Sequence, residues 1–225
     1  MKTTFYQNKP NGYFDSVRFD LLSLIPDENK NKKMLEIGAA SGDTLLYAKQ
    51  HGYANCVYGI DLCSIENSHQ NNAQIDQFII GNVENIELPL GENSFDVIIC
   101  GDVLEHLIDP YSLVHKLKQL LTPNGILIAS IPNVREWHIM MDILIKGNFN
   151  YQNAGILDKT HLRFFCKKNI KNLFLENEMS LLSCTSNIEF TGYKKKILNR
   201  ITCRLFEEFL TIQYYCVAGK NSKCN

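Results

Sequence analysis

The sequence predicts an α/β protein with a doubly wound, mostly parallel sheet of seven strands. From residue 33 onward, apolar runs alternate with helical patterns, which is typical of strands covered on both faces by crossover helices. The length of 225 residues is compatible with one large core. A glycine-rich turn, EIGAASG at 36–42, joins the first apolar run to a helical pattern, as in folds that bind nucleotides.

Five apolar runs are the predicted parallel strands, and two helical patterns lie between them. The strands are predicted at 34–38, 56–61, 77–82, 95–101 and 125–131. The stretch DTLLYAKQHG predicts a helix that stops at Gly52. The stretch DPYSLVHKLKQLLTPNG predicts a second, because its leucines recur at three and four residues until Pro123.

The rest of the chain is expected to complete one domain, 1–225, of four parts. The amphipathic segment at 1–32 is expected to be helical, either packing on the core or covering the ligand as a lid. A cofactor-binding core at 33–131 is followed by a substrate-side insertion at 132–165. The part at 166–225 should finish the sheet, with helices at 166–179 and 193–210 and strands at 180–190 and 211–220. The basic face of the second helix is interpreted as solvated, with phosphate binding as the alternative.

Composition narrows the class of protein. A hydrophobic fraction of 45%, a charged fraction of 21% and a net charge of -1 indicate a globular protein without a global footprint for nucleic acid. No apolar run approaches the ~18 residues of a membrane span, and no secretory signal is visible, so a cytoplasmic protein is expected. The eight cysteines form no CxxC pair, which favours reduced thiols. The oligomeric state is left undetermined.

The turn after the first strand selects among nucleotide ligands. A dinucleotide fingerprint would read G-x-G-x-x-G, but Gly38, Ala40 and Asp43 occupy those three places. Glu36 would repel a pyrophosphate, whereas it suits a ligand with an ammonium or sulfonium group, and S-adenosylmethionine has both. Asp61 ends the second strand, where a carboxylate binds ribose hydroxyls. Asn82 either meets the adenine edge or only closes a turn.

Four motifs carry a resemblance to a known family. In order and spacing, LEIGAASG, YGID, GNVENIELPLGENSFDVIICGDVLEHLIDP and LLTPNGILIASIPN resemble class I S-adenosylmethionine-dependent methyltransferases, over about 33–133. The resemblance is closest to the ubiquinone-pathway-like branch. The segment GNFNYQNAGILDKTHLRFF is similar to one found in methyltransferases encoded with surface-polysaccharide enzymes.

The resemblance implies a Rossmann-like fold, S-adenosylmethionine as cofactor and S-adenosylhomocysteine as product. It also implies O-methylation of a small molecule, a sugar or nucleotide-linked sugar of surface polysaccharide, with a quinone-type metabolite, an amine or a protein as alternatives. Carried over by position, the cofactor-binding residues are Glu36, Gly38, Ala39, Gly42, Asp61, Leu62, Asn82, Val83, Cys100 and Gly101. Two positions depart from the family: Ala40 replaces the usual second glycine, and Asn82 stands where aspartate is common.

Transfer to a hydroxyl needs a group that takes its proton, and histidine suits that task near neutral pH. The candidates are His106, just past the fourth strand, and His161 in the insertion, with Asp102 four residues before His106. Either histidine could instead be structural. Arg163, Trp137 and Tyr13 are the predicted substrate-binding residues, although Arg163 could simply pair with Asp158.

A metal ion is not expected, but one pattern leaves it open. Asp102, Glu105 and His106 are spaced to share one face of a helix, and some ubiquinone-pathway O-methyltransferases have a similar E-x-x-E-H set. Here the first acid is one methylene shorter. A nicotinamide-dependent oxidoreductase is disfavoured by the broken fingerprint and by the absence of a Tyr-x-x-x-Lys spacing. An RNA or protein methyltransferase and a noncatalytic cofactor-binding subunit are further alternatives.

Overall fold

The computed structural model describes residues 16–86, 90–190 and 193–220, and its strands form one seven-stranded sheet. The order across the sheet is β3-β2-β1-β4-β5-β7-β6. Strand β7 runs antiparallel to both neighbours, and the other pairs are parallel. The predicted fold class is therefore confirmed. The strands are β1 Lys32–Ile37, β2 Ala54–Asp61, β3 Gln77–Ile80, β4 Phe95–Gly101, β5 Leu121–Pro132, β6 Met179–Ser186 and β7 Gln213–Lys220.

Helices cover both faces of this sheet. Adjacent residues of β4 separate the two apolar layers, since Ile98 packs in one layer and Ile99 in the other. No helix among the described residues is long and apolar enough to cross a membrane. The described helices are α1 Phe19–Leu22, α2 Asp43–Gln50, α3 Pro110–Leu120, α4 Trp137–Leu144, α5 Lys167–Leu175, α6 Tyr193–Ile201 and α7 Glu207–Leu210.

Helix α3 begins as its sequence predicts and ends earlier. The Asp109 side chain accepts a hydrogen bond from the Ser112 N–H, and Pro110 occupies the first turn, where its missing N–H is not needed. The helix ends at Leu120 rather than at Pro123, because Leu121 already pairs with Phe95 of β4. Strand pairing therefore decides this boundary.

The two ends of the chain are less helical than predicted. In the described part of the N-terminal segment only α1 is an α-helix, and Leu21, Leu22 and Ile25 bury its apolar face. The predicted helix at 193–210 is divided into α6 and α7. Cys203 and Arg204 lie between them with φ of 48° and 63°, which an α-helix does not accommodate. The predicted strand at 180–190 stops at Ser186 and continues as a 3₁₀ turn, Asn187–Phe190.

Candidate active site

A cavity of about 540 Å³ opens at the carboxyl ends of β1, β2 and β4. Within the sheet, β2 is the neighbour of β1 on one side and β4 is its neighbour on the other. The cavity therefore lies at the point where the strand order reverses. Ligands of doubly wound sheets bind at such a point. The lining includes eight of the predicted cofactor residues: Glu36, Gly38, Ala39, Asp61, Leu62, Asn82, Val83 and Gly101.

The turn after β1 needs unusual backbone conformations. Gly38 has a φ of 72°, and a Cβ there would lie 2.5 Å from Cγ2 of Val103. Ala40 has a φ of 46°, a left-handed conformation that glycine adopts more easily. The usual glycine at this place thus has a backbone reason, and alanine fits at some strain. Gly42, with a φ of 85°, precedes α2 and does not line the cavity.

Asp61 connects the end of β2 to this turn. Its carboxylate accepts hydrogen bonds from the backbone N–H groups of Ala40 at 2.8 Å and Cys63 at 3.0 Å. Burial raises the pKa of Asp61, and these two donors oppose that rise. Asn82 has a similar structural task, because its Oδ1 accepts from the Glu84 N–H at 3.0 Å.

Glu36 is a buried carboxylate at the cavity wall. It is 4% exposed, and its Oε2 has no hydrogen-bond partner among the described residues. Burial raises the pKa of Glu36 to about 8, although the positive charge of Arg18 opposes the rise. A buried carboxylate with an unpartnered oxygen is costly unless it is protonated or a cation joins it. The residue therefore fits a ligand that brings an ammonium group.

Arg18 is a cavity residue that the sequence analysis missed. Its guanidinium donates to Asp102 at 2.7 Å, to both oxygens of Asp20 at 3.0 and 2.9 Å, and to the Ser130 hydroxyl at 3.1 Å. The apolar positions of the N-terminal segment predict how it packs, but they do not predict a role for this arginine. The sequence feature that could have indicated this role is a single arginine among the apolar residues of VRFDLL.

Asp102 is held by this arginine and not by His106. Its carboxylate also contacts the side chains of Ser130 and Gln213. Asp102 has a φ of 55° and lies before the 3₁₀ turn Leu104–His106, so the helical spacing assumed for it does not exist. Burial raises the pKa of Asp102, while the charge of Arg18 lowers it.

The two candidate histidines lie against each other. Nδ1 of His106 is 3.1 Å from the Thr160 carbonyl oxygen, and Nδ1 of His161 is 2.8 Å from that of Ile156. Their ring centroids are 4.6 Å apart, edge to face. His106 lines the cavity, whereas His161 is 8% exposed and is not among the lining residues. The insertion thus brings His161 beside the turn that carries His106.

Three further predicted site residues, Arg163, Trp137 and Cys100, do not line the cavity. Arg163 donates to the Ile108 carbonyl oxygen through Nε, at 3.1 Å, and through Nη2. Trp137 is 42% exposed and rests on the His138 ring. Cys100 is fully buried within β4. Tyr13 is outside the described residues, so its role stays a prediction, as do the other residue roles.

Known proteins are similar to this chain in sequence and in fold. The family of methyltransferase domains matches residues 12–183. The ubiquinone biosynthesis O-methyltransferase of Actinobacillus pleuropneumoniae is 29% identical over 138 residues, 55% of this chain and 58% of that enzyme. The Coxiella burnetii enzyme of the same name is 31% identical over 182 residues, 69% and 77% of the two chains. An S-adenosylmethionine-dependent methyltransferase structure from Mesorhizobium loti has a TM-score of 0.61 at 16% identity, covering 91% and 98%.

The fold, the cavity and these matches define a class I methyltransferase domain, for which S-adenosylmethionine is the cofactor. The chain belongs to the methyltransferase-domain family, and the predicted class of enzyme is confirmed. The match spans less than two thirds of the Actinobacillus enzyme. The two relatives are named for ubiquinone biosynthesis, so the predicted association with surface polysaccharide has no support from them.

Proposed function

We propose that this chain transfers the methyl group of S-adenosylmethionine to a hydroxyl of a small molecule. The hydroxyl oxygen forms a bond to the methyl carbon, the carbon–sulfur bond breaks, and sulfur keeps the electron pair. The hydroxyl proton leaves to a basic group. The observation that most supports this proposal is that the buried Glu36 and His106 line different walls of the same cavity.

The walls near β1 and β2 match the polar groups of the cofactor. Glu36 would pair with the methionine ammonium, since its Oε2 has no partner among the described residues. Arg18 lines the same cavity near Glu36, where its guanidinium is already paired with Asp20 and Asp102. Asp61, beside Leu62, would accept from the ribose hydroxyls, with Asn82 and Val83 near the adenine.

His106 is the candidate for activating the acceptor. A carbonyl oxygen only accepts hydrogen bonds, so Nδ1 of His106 is the protonated nitrogen toward Thr160, and Nε2 carries the lone pair. That lone pair can draw the proton from a hydroxyl near neutral pH. Asp102 is neutralised by Arg18 at 2.7 Å, which makes it a positioning residue for the cavity wall.

The sequence resemblance and the similar proteins suggest two different classes of acceptor molecule. The insertion segment's resemblance favours a sugar or nucleotide-linked sugar, and the names of the relatives favour a quinone-type metabolite. Phe149, Tyr151 and Phe164 form a cluster of ring contacts in the insertion, with centroids 5.5 to 6.2 Å apart. These three rings do not line the cavity, so they do not favour one acceptor class over the other.

The test combines calorimetry with an acceptor panel. The purified protein should bind S-adenosylmethionine and S-adenosylhomocysteine and should not bind NAD. With S-adenosylmethionine and a panel of nucleotide-linked sugars, free sugars, catechols and amines, one class should gain one methyl group by mass spectrometry. A methylated amine, with no hydroxyl product, would refute O-methylation. His106→Asn should keep cofactor affinity while lowering turnover by ~100-fold or more.

A further inference from the structure

Three side chains beside the cavity form a group with the character of a metal site. Glu105, His106 and His161 each offer one donor atom, and these atoms all lie within 4.8 Å of one another. A tetrahedral ion with bonds of about 2.1 Å has its ligand atoms about 3.4 Å apart, so a contraction of up to about 1.4 Å would complete the set.

Glu105 is the unexplained member of this group. It is 1% exposed, and neither carboxylate oxygen has a hydrogen-bond partner among the described residues. The distance from Glu105 Oε1 to His161 Nε2, 4.0 Å, is too long for a hydrogen bond. A carboxylate removed from water in this way is strongly unfavourable unless a cation or a proton compensates it.

Both histidines are oriented as metal ligands usually are. Each directs Nδ1 to a backbone carbonyl oxygen, of Thr160 for His106 and of Ile156 for His161. This hydrogen bond places the proton on Nδ1 and leaves the lone pair on Nε2. The same backbone contact fixes ring and tautomer in many protein metal sites.

The metal set that the family resemblance implies does not fit this structure. That set would use Asp102 with Glu105 and His106. Asp102 instead lies 2.7 Å from the Arg18 guanidinium and also contacts Ser130 and Gln213. The position of third donor is filled by His161, which comes from the insertion.

We propose that Glu105, His106 and His161 bind a first-row divalent transition-metal ion. Two imidazoles with one carboxylate suit zinc, iron, cobalt or nickel, whereas magnesium prefers oxygen ligands. With Nε2 of His106 on the ion, His106 would act as a ligand and not as the base; the ion would instead lower the pKa of a coordinated acceptor hydroxyl, whose proton would leave to solvent. This catalytic use rests on the proposed function, but metal binding itself does not.

Cobalt titration tests the site without measuring activity. The full chain, freed of metal with a chelator and dialysed at about pH 7.5, is titrated with Co²⁺ while visible absorption and heat are recorded. We expect one equivalent to bind with visible d–d bands, Zn²⁺ to displace it, and excess Mg²⁺ to leave it bound. His161→Ala and Glu105→Gln should each lower cobalt affinity at least ~10-fold.

Two controls locate the metal. His138 also lies beside a glutamate, with Nδ1 2.8 Å from Glu136 Oε1, but it is outside the group, so His138→Ala should keep wild-type affinity. Asp102→Asn should keep it too. Binding of S-adenosylhomocysteine by each variant reports folding, and His161→Asn replaces His161→Ala if the latter does not fold.

Three results would overturn the proposal. The first is a wild-type chain that binds S-adenosylhomocysteine but no stoichiometric cobalt, which leaves the proposed function standing. The second is cobalt binding that survives both His161→Ala and Glu105→Gln, which would place the ion on other groups such as cysteines. The third is affinity lost in Asp102→Asn but kept in His161→Ala, which would restore the family-type set.

Discussion

At the scale of single residues, Glu36 and Asp61 stand at the ends of adjacent strands with different surroundings. Glu36 has a buried oxygen without a partner among the described residues, while Asp61 accepts from two backbone N–H groups. Both were predicted as cofactor contacts from their positions after the strands. Because their environments differ, we expect replacement of Glu36 and replacement of Asp61 to have different effects.

Glu36→Gln should change how stability depends on pH. The folded pKa of Glu36, about 8, exceeds its ordinary value of 4.5. Between these values the unfolded chain has lost the proton that the folded chain keeps, so the folded state loses stability as pH rises toward 8. Glutamine has no titrating proton at this position. The melting temperature of Glu36→Gln minus that of wild type should therefore increase between about pH 5 and pH 8. A constant difference would refute the raised pKa.

The same substitution should also alter cofactor binding. At pH 7 the protonated Glu36 must release its proton to pair with an ammonium. Calorimetry in buffers of different ionisation enthalpy should therefore show proton release when S-adenosylmethionine binds to wild type. Glu36→Gln should show about one proton less and bind at least ~10-fold more weakly. Equal proton release in both proteins would remove Glu36 from the ammonium site.

Asp61→Ala should weaken cofactor binding by ~10- to 100-fold, because the two ribose hydroxyls lose the charged carboxylate that accepts their hydrogen bonds. The change also leaves the Ala40 N–H without its acceptor, so part of the loss comes from the turn. Asp61→Asn keeps one oxygen and should lie between the two proteins in affinity. Titration with S-adenosylhomocysteine measures all three, and unchanged affinity in Asp61→Ala would place the ribose elsewhere.

At the scale of elements, the turn from β1 to α2 decides how closely a ligand approaches the backbone. Gly38, which follows β1, and Gly52, which follows α2, both have positive φ, 72° and 75°. Only at Gly38 would a Cβ meet an atom, Val103 Cγ2 at 2.5 Å, while nothing lies within 4 Å at Gly52. Comparing substitutions at Gly38 and Gly52 therefore distinguishes the effect of backbone strain from the effect of a steric clash.

Gly38→Ala should therefore destabilise the protein more than Gly52→Ala. The latter pays only the left-handed backbone penalty of about 1 to 2 kcal/mol. The former adds a clash that moves Val103 at the cavity wall, so cofactor affinity should fall as well. Denaturant unfolding and titration with S-adenosylhomocysteine measure the two effects. Equal losses of stability, with cofactor affinity unchanged, would mean that Val103 shifts without cost.

At the scale of the whole molecule, the cavity joins segments that are far apart in the chain. Arg18 and Asp102 are 84 residues apart, and Gln213 comes from the last strand. A ligand in this cavity contacts a surface that exists only in the folded chain. Its binding should consequently stabilise the entire fold.

Addition of S-adenosylhomocysteine at ~100 times its Kd should raise the free energy of unfolding by about 2.7 kcal/mol. For a chain of this size that corresponds to an increase of roughly 5 to 10 °C in melting temperature. Differential scanning calorimetry measures the shift, with NAD as the ligand that should give none. Asp61→Ala should show a smaller shift at the same concentration, and an identical shift would contradict its predicted contact.

The sequence alone determined the sheet, the class of enzyme and most of the cavity wall near β1 and β2. These features depend on local pattern: strand and helix periodicity, a glycine turn, and carboxylates that follow strand ends. Helix boundaries were less accurate, because strand pairing at Leu121 and the left-handed residues Cys203 and Arg204 override local propensity.

Only the tertiary structure decided the partners of the charged groups. Local spacing placed Asp102 with His106, whereas a backbone turn and Arg18, from 84 residues away, place it elsewhere. Likewise, His161 reaches Glu105 and His106 through a loop whose path no periodicity specifies. Hydrogen bonds need donor–acceptor distances of about 2.7 to 3.2 Å, so a displacement of an ångström breaks them. Sequence pattern fixes which groups a strand end presents, but only folding brings distant groups within that range.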